Sequence, residues 1–540
     1  MQILFERDTN VKPPTGQARG AWSTQPAWRR WPVLIVFAAV LLIGLFPGGS
    51  YGTLGALGAR EDSEDRTVRV GMSGNPDTLD PHRTSGSLTF FSIRGFYDTL
   101  IEPGDDGAYR PALAEDWEVS DDGLAWTFEL RPGVLFHHGR TLQAEDVVAT
   151  FERMLDPEVS SPHARELRRL ERVEAVDELT VRFELSQPHT PLLATLASGW
   201  GAILPADLIE AGHRFSVEPI GTGPYLFTHW REDNEIRMSR NPQYWSDDLD
   251  AHEAPEEIVL RIISETTVQE QALIAGQLDI IDMVSETMID TLDQQPDTQI
   301  DRELSSLVMV LAMNNEHELL GDTTLRRAIA HSINKQQVLD VAYNGGRPVS
   351  TFLDYGDPFY AGIEDPYPYD PERARELVED SRYNGERLRI AVPQNYEPHV
   401  RAAEIYTEML AGVGLNVELR LVEWSTWLSD VYQNSEFDLT VIGHTGKLDP
   451  DGRFAGFDTG DNYVNWYNSE AEQLIEQARG EAEFDRRFEL YSEVQRILAE
   501  EVPMVFVGTS YRHIGLRANI REFHMDPKLD TIDFYRLRFE

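Results

Sequence analysis

The polar and apolar pattern changes character at about residue 66. Beyond it, residues 67–73 alternate as a strand and Gly74-Asn-Pro-Asp77 breaks them into a loop. Residues 124–130 alternate as well, turned by Arg131-Pro132-Gly133. Residues 144–155 put Val147, Val148, Phe151 and Leu155 on one side, which predicts a helix stopped by Asp156-Pro157. Residues 173–185 read as a hairpin and 257–263 as a strand. Thr267-x-x-Glu270 predicts a capping box for a helix over 268–275, ended by Gly276, and a short strand follows at 278–281.

From Leu304 onward, strands are separated by longer helices. Strands are predicted at 307–313, 388–392, 417–422, 437–442 and 502–507. Helices are predicted at 325–343, at 371–378 behind Asp370-Pro371, from 400, at 427–432, from the box Ser469-x-x-Glu472 to Gly480, and at 485–500. Such alternation predicts α/β lobes with largely parallel sheets.

Residues 1–66 follow none of these patterns. A polar leader ends in Arg29-Arg30, an uncharged apolar run spans residues 31–46, and small residues follow as far as Ala59. These are the parts of an export signal, and two outcomes stay open: cleavage near 56–60, or retention as an anchor. Either way the remaining chain is expected to be periplasmic or otherwise extracytoplasmic. Nothing after residue 66 is apolar enough to cross a bilayer.

Composition narrows the function classes. The 540 residues carry 48 Lys+Arg against 92 Asp+Glu, a formal charge of −44, so a nucleic-acid polyanion is a poor partner. With no Cys, disulfides, thiolate metal sites, cysteine nucleophiles and a lipid-modified N-terminus are excluded. Catalytic signatures are nearly missing. There is no phosphate loop, no H-E-x-x-H and no G-x-S-x-G. His137-His138 is wrongly spaced to share one helix face, and Asp449-Pro-Asp451-Gly452 reads as a turn rather than a calcium loop. The chain is expected to be no enzyme, and to need no cofactor or metal.

Several stretches, in order, carry a resemblance. They are Leu79-Asp80-Pro81, residues 113–139 with Ala144-Glu-Asp-Val-Val148, Pro219-Ile-Gly-Thr-Gly-Pro-Tyr225, Gly276-Gln-Leu-Asp-Ile280, Leu325-Arg-Arg-Ala-Ile329, Tyr369-Asp-Pro-Glu-Arg-Ala-Arg-Glu-Leu377, Gly412-Val-Gly-Leu-Asn-Val417, Glu423-Trp424 and residues 487–503. Together they resemble the extracytoplasmic solute-binding proteins of the dipeptide/oligopeptide ABC-transporter family, bacterial family 5. Each piece also reads structurally: Trp and Phe beside Ser120-Asp-Asp-Gly123 fill a core, and Gly221 and Gly223 supply backbone freedom.

The resemblance implies an α/β, two-lobed, hinge-closing fold of the periplasmic-binding-protein type II, in its large form with an extra subdomain. One lobe would span 67–305, with the subdomain near 101–215, and regain the chain at 504–540; the other would span 306–503. It implies a monomer that closes on a peptide or peptide-like solute and delivers it to the permease and ATPase subunits of an importer. A non-peptide solute (opine, glycan, metal chelate) and an extracytoplasmic peptide hydrolase are the alternatives.

Carried over residue by residue, the ligand contacts would be Thr84, Ser85, Gly86 and Ser87 in the loop after the first strand, and Trp200 as an aromatic wall that reads equally as core. The rest would come from Gly443, His444, Thr445, Gly446, Lys447 and Asp449. Peptide binders commonly read Gly-Trp-x-x-Asp at this last loop, with the Asp holding the peptide ammonium. Here His444 replaces the Trp and Lys447 stands at the Asp position, so a solute with an acidic group is one reading and a surface lysine the other. Asp449 is the residual candidate for an amine.

Overall fold

The computed structural model describes residues 66–104, 108–246, 253–457, 462–526, 528–529 and 531–539. The apolar run 31–46 and the expected cleavage region 56–60 lie outside the described residues. Among the described residues no helix is long and apolar enough to cross a membrane.

One eleven-stranded sheet runs through the fold. Its path is Asn416–Val422, Arg387–Pro393, Leu439–His444, Thr298–Met313, Met504–Arg517, Ile280–Ile281, Thr67–Met72, Glu257–Ile262, Glu235–Arg240 and Tyr225–Arg231, with Gly346–Pro348 paired to Met504–Arg517 off the path. The sheet is mixed rather than largely parallel. Thr67–Met72 is parallel to its two neighbours, as is Arg387–Pro393. The central pair, Thr298–Met313 with Met504–Arg517, is antiparallel. These strands have 16 and 14 residues, where the apolar pattern alone predicts about half that, because their other halves, at Thr298–Leu304 and Gly508–Arg517, carry many polar residues. The ladder slips between Leu304 and Val308, so pairing continues on both sides of an irregularity.

Beyond that slip both faces of the strand are covered, which explains its unbroken apolar run. Met309, Leu311 and Met313 enter one cluster with the helices Thr323–Ser332, Lys335–Ala342 and Glu397–Gly412. Val308, Val310 and Ala312 enter the opposite cluster, with Ser469–Gly480 and Phe484–Glu501. A separate core packs around Val68, Tyr225, Leu260 and Ile514. A fourth lies behind the antiparallel sheet made of Ala114–Val119, Ala125–Leu130, Thr180–Leu185 and Leu170–Ala175.

Local signals held where hydrogen bonding inside one element decided the outcome. The helix Ala144–Leu155 and the Asp370 cap, which accepts from Glu372 N and Arg373 N, are as expected. Both capping boxes shifted. Glu265 precedes the helix Thr266–Ile274, and the Glu270 carboxylate instead accepts from Ser285 N at 2.7 Å. Asn468 caps Ser469–Gly480, accepting from Glu470 N and Ala471 N, while Glu472 accepts from Tyr467 Oη. The helix expected over 325–343 is two, because the Asn334 side chain caps the second by accepting from Gln337 N. Residues 427–432 fall in a π-helical turn, Trp427–Gln433. Gly221 and Gly223 serve close approach rather than backbone freedom: a Cβ on either would strike the backbone of Phe96.

Candidate functional site

The strand Leu439–His444 ends beside Val308, and the chain then turns through residues 445–450 into the short helix Asp451–Phe454. Three buried arginines hold this turn from beneath. Arg487 donates to both oxygens of Asp449, at 2.6 and 2.8 Å. Arg479 Nε donates to Asp451 Oδ1 at 2.8 Å. Arg453 donates to His444 O at 2.9 Å and to Ser306 O at 2.7 Å. Gly446 N donates to Ser306 Oγ at 3.1 Å, and a Cβ on Gly446 would fall on that same hydroxyl. Buried guanidinium groups are tolerated because carboxylates and carbonyls meet their fork of donors. The Asp449 carboxylate has its charge satisfied by Arg487, which removes it as an anchor for an amine.

Opposite stands the loop after the first strand. Thr84 is buried, donating Oγ1 to Asp77 Oδ1 and accepting from Gly86 N, both at 2.8 Å. Ser85 and Ser87 are exposed, and Gly86 caps the helix Ser87–Ile93. His163 links this loop to Trp200. Its Nε2 lies 2.9 Å from Thr84 O, and since a carbonyl only accepts, Nε2 carries the proton. Its ring stacks on Trp200 with centroids 4.2 Å apart and planes 7° apart. Phe90 meets Trp200 edge-on at 5.7 Å. Burial lowers the His163 pKa, so the ring is neutral. The Trp200 Nε1–H is shut off from water and has no acceptor among the described residues.

The two sides meet at Leu448, which packs on the cluster holding Leu192, Leu196 and Ile203, the cluster that Trp200 also packs on. Lys447 is exposed, yet the protein crowded around its ammonium and the Arg453 charge both lower its pKa. Glu166 and Arg165, of the segment next to His163, are the other charges it feels. Further out, Arg169 Nη2 donates to both oxygens of Glu476, at 3.1 and 3.2 Å. Thr190 donates to Arg479 O at 2.9 Å and to Glu481 O at 2.7 Å. A hollow of about 430 Å³ lies on this seam, between Pro188 and Gly480.

Of the expected contacts, Thr84 and Trp200 are joined through His163, and Lys447 lies across from them. Gly443 packs on Leu307, and Thr445 is exposed. His444 turns away into an aromatic nest, sharing a 2.9 Å hydrogen bond with Tyr463 Oη and meeting Phe352 edge-on. Burial and then the Arg453 charge pull its pKa down to about 3. Sequence reasoning missed His163, Phe90 and Arg453. None sits in a periodic segment or a motif, so nothing short of the fold would have found them. His137 and His138 are structural, bonded to Gly223 O and Asp207. Among the described residues no group of His, Asp and Glu is arranged to hold a metal ion.

The chain has close relatives in sequence and structure. The family model described as bacterial extracellular solute-binding proteins, family 5 Middle, matches residues 108–465. Di/tripeptide-binding protein 2 of Pseudomonas aeruginosa is 31% identical over 527 residues, covering 90% of this chain and 97% of that protein. The solved structure of HbpA2 from Haemophilus parasuis covers 88% of this chain and 100% of that one, with a TM-score of 0.79 at 26% identity. AgaA of A. tumefacien R10, solved with agropinic acid, covers 88% of this chain and 99% of that one, with a TM-score of 0.70 at 26% identity. The fold is the two-lobed one of these periplasmic binding proteins, and the chain belongs to the bacterial extracellular solute-binding proteins of family 5.

Proposed function

We propose that this protein is the extracytoplasmic receptor of an ABC importer. It captures a peptide or peptide-like solute between two lobes and hands it unchanged to the membrane permease. One lobe comprises residues 67–305, with a subdomain near 101–215, and 504–540; the other comprises 306–503. The slip between Leu304 and Val308 is the crossing point. The observation that carries this reading is the loop 443–449, held rigidly from below and set against Thr84, His163 and Trp200 from the other side of the fold. A solute lying there touches both lobes only when they close, so it stabilises closure by its differential affinity.

The similarity to a di/tripeptide-binding protein supports the peptide class, and the absence of a nucleophile–base arrangement among the contacts above supports a receptor rather than a hydrolase. A second reading, an opine-like solute, is favoured by the likeness to AgaA. The experiment is a melting-shift screen of free and modified peptides and opines, with mass spectrometry of the recovered solute. A bound solute raises the melting temperature by mass action. Recovery of cleaved peptide would overturn the receptor reading, and a response to opines alone would replace peptide by opine.

A further inference from the structure

We infer that Lys447 makes the loop 443–449 a receptor for an anionic group, so that the solute presents a carboxylate there and not a free ammonium. This rests on the reading that the solute lies between the two lobes.

The charges around the loop are asymmetric. Lys447 has no ion-pair partner among the described residues. The two acids that follow it in the chain are already committed, Asp449 to Arg487 and Asp451 to Arg479. Beneath the loop sits a second cation, Arg453, whose guanidinium spends two donors on carbonyls and stands 3.9 Å from Asp354. Lys528, packed against Gly446, is occupied by Asp357 at 3.0 Å. His444 and His163 are neutral, and the facing wall offers the rings of Trp200 and Phe90, which carry no charge. The acid that reaches Lys447 from that wall is Glu166, and its neighbour Arg165 already pairs with it at 3.1 Å.

An ammonium arriving here meets two cations, while the described carboxylates that border the loop, Asp449, Asp451, Asp354 and Glu166, each already face a cation, which costs affinity by like-charge repulsion in a partly desolvated cleft. A carboxylate arriving here supplies the missing partner and gains a charge-assisted hydrogen bond. The implied solute class is a short peptide-like molecule that presents a carboxylate, and no free ammonium, to this loop.

The test uses one di- or tripeptide, amidated at its C-terminus so that no other carboxylate competes for Lys447, in three forms: free amine, N-acetyl and N-succinyl. Calorimetry on the wild-type protein is expected to rank succinyl above acetyl above free amine, with at least about tenfold between the extremes. Lys447→Gln should erase the gap between succinyl and acetyl, Lys447→Arg should keep it, and Lys447→Asp should favour the free amine. None of these variants should move the unliganded melting temperature much, since Lys447 is exposed. Equal or tighter binding of the free amine by the wild type would overturn the inference and leave the peptide receptor standing. If neither the wild type nor Lys447→Asp binds any form, the peptide reading falls, and this inference with it.

Discussion

At the scale of single residues, the site is built on groups whose charge state burial controls. His444 keeps a neutral ring with a pKa near 3, well under the 6.5 of an unfolded histidine. At pH 5 the unfolded chain therefore binds a proton that the folded one refuses. This contribution to stability is complete above about pH 6.5 and is lost as the pH falls toward 3. Measured unfolding free energy should drop by up to about 1.4 kcal/mol per pH unit from this residue within that window, and His444→Gln should flatten the slope. The Asp449–Arg487 pair behaves differently, because both groups are buried and satisfy each other. Arg487→Met would leave a carboxylate stranded, so chemical denaturation should reveal a loss of about 3–5 kcal/mol. Asp449→Leu combined with Arg487→Met should recover much of it; no recovery would mean that the arginine matters for another reason.

At the scale of elements, the starts of the predicted helices fall within three residues of the observed ones, although the capping side chain was often another. A Ser/Thr-x-x-Glu pattern is only one way to satisfy the first N–H groups, and a neighbouring Asn or a backbone turn does it as well. For Ser469–Gly480 the cap is Asn468. Asn468→Ala should cost about 1 kcal/mol in unfolding experiments, while Ser469→Ala should be close to neutral. The helices at Ser87–Ile93 and Glu286–Asp293 left no periodic trace in the sequence, being short and half-polar. The break between Thr323–Ser332 and Lys335–Ala342 was hidden for the opposite reason, since Leu325, Ile329, Val338 and Leu339 all face one core and mimic a continuous stripe.

For the whole molecule, the seam at Arg169, Thr190 and Glu476 shares Arg479 with the candidate loop: its carbonyl accepts from Thr190 while its guanidinium holds Asp451. Closing this seam and ordering the loop are therefore expected to be coupled. Glu476 is half-exposed, so its pair with Arg169 is worth no more than about 1 kcal/mol, or roughly fivefold in affinity. Arg169→Ala should raise the solute Kd by up to that factor and lower the closed fraction seen by solution scattering. The unliganded melting temperature should barely change. A variant with unaltered Kd and scattering would show that the seam takes no part in closure.

The sequence by itself determined the class of protein. Ordered motifs from Leu79 to Pro503 mark the family, alternation and periodicity mark most strands and helices, and the lack of Cys removes disulfide and thiolate chemistry. Those features are local, or are repeated along the chain, and so survive without coordinates. Tertiary structure decided the rest. It extended Thr298–Met313 and Met504–Arg517 beyond their apolar halves, because backbone pairing can carry polar residues that no pattern marks as strand. It also set which charges near the loop remain uncommitted. Asp449 and Lys447 look equally available in the sequence, and only packing, which delivers Arg487 to the first and, among the described residues, no ion-pair partner to the second, tells them apart.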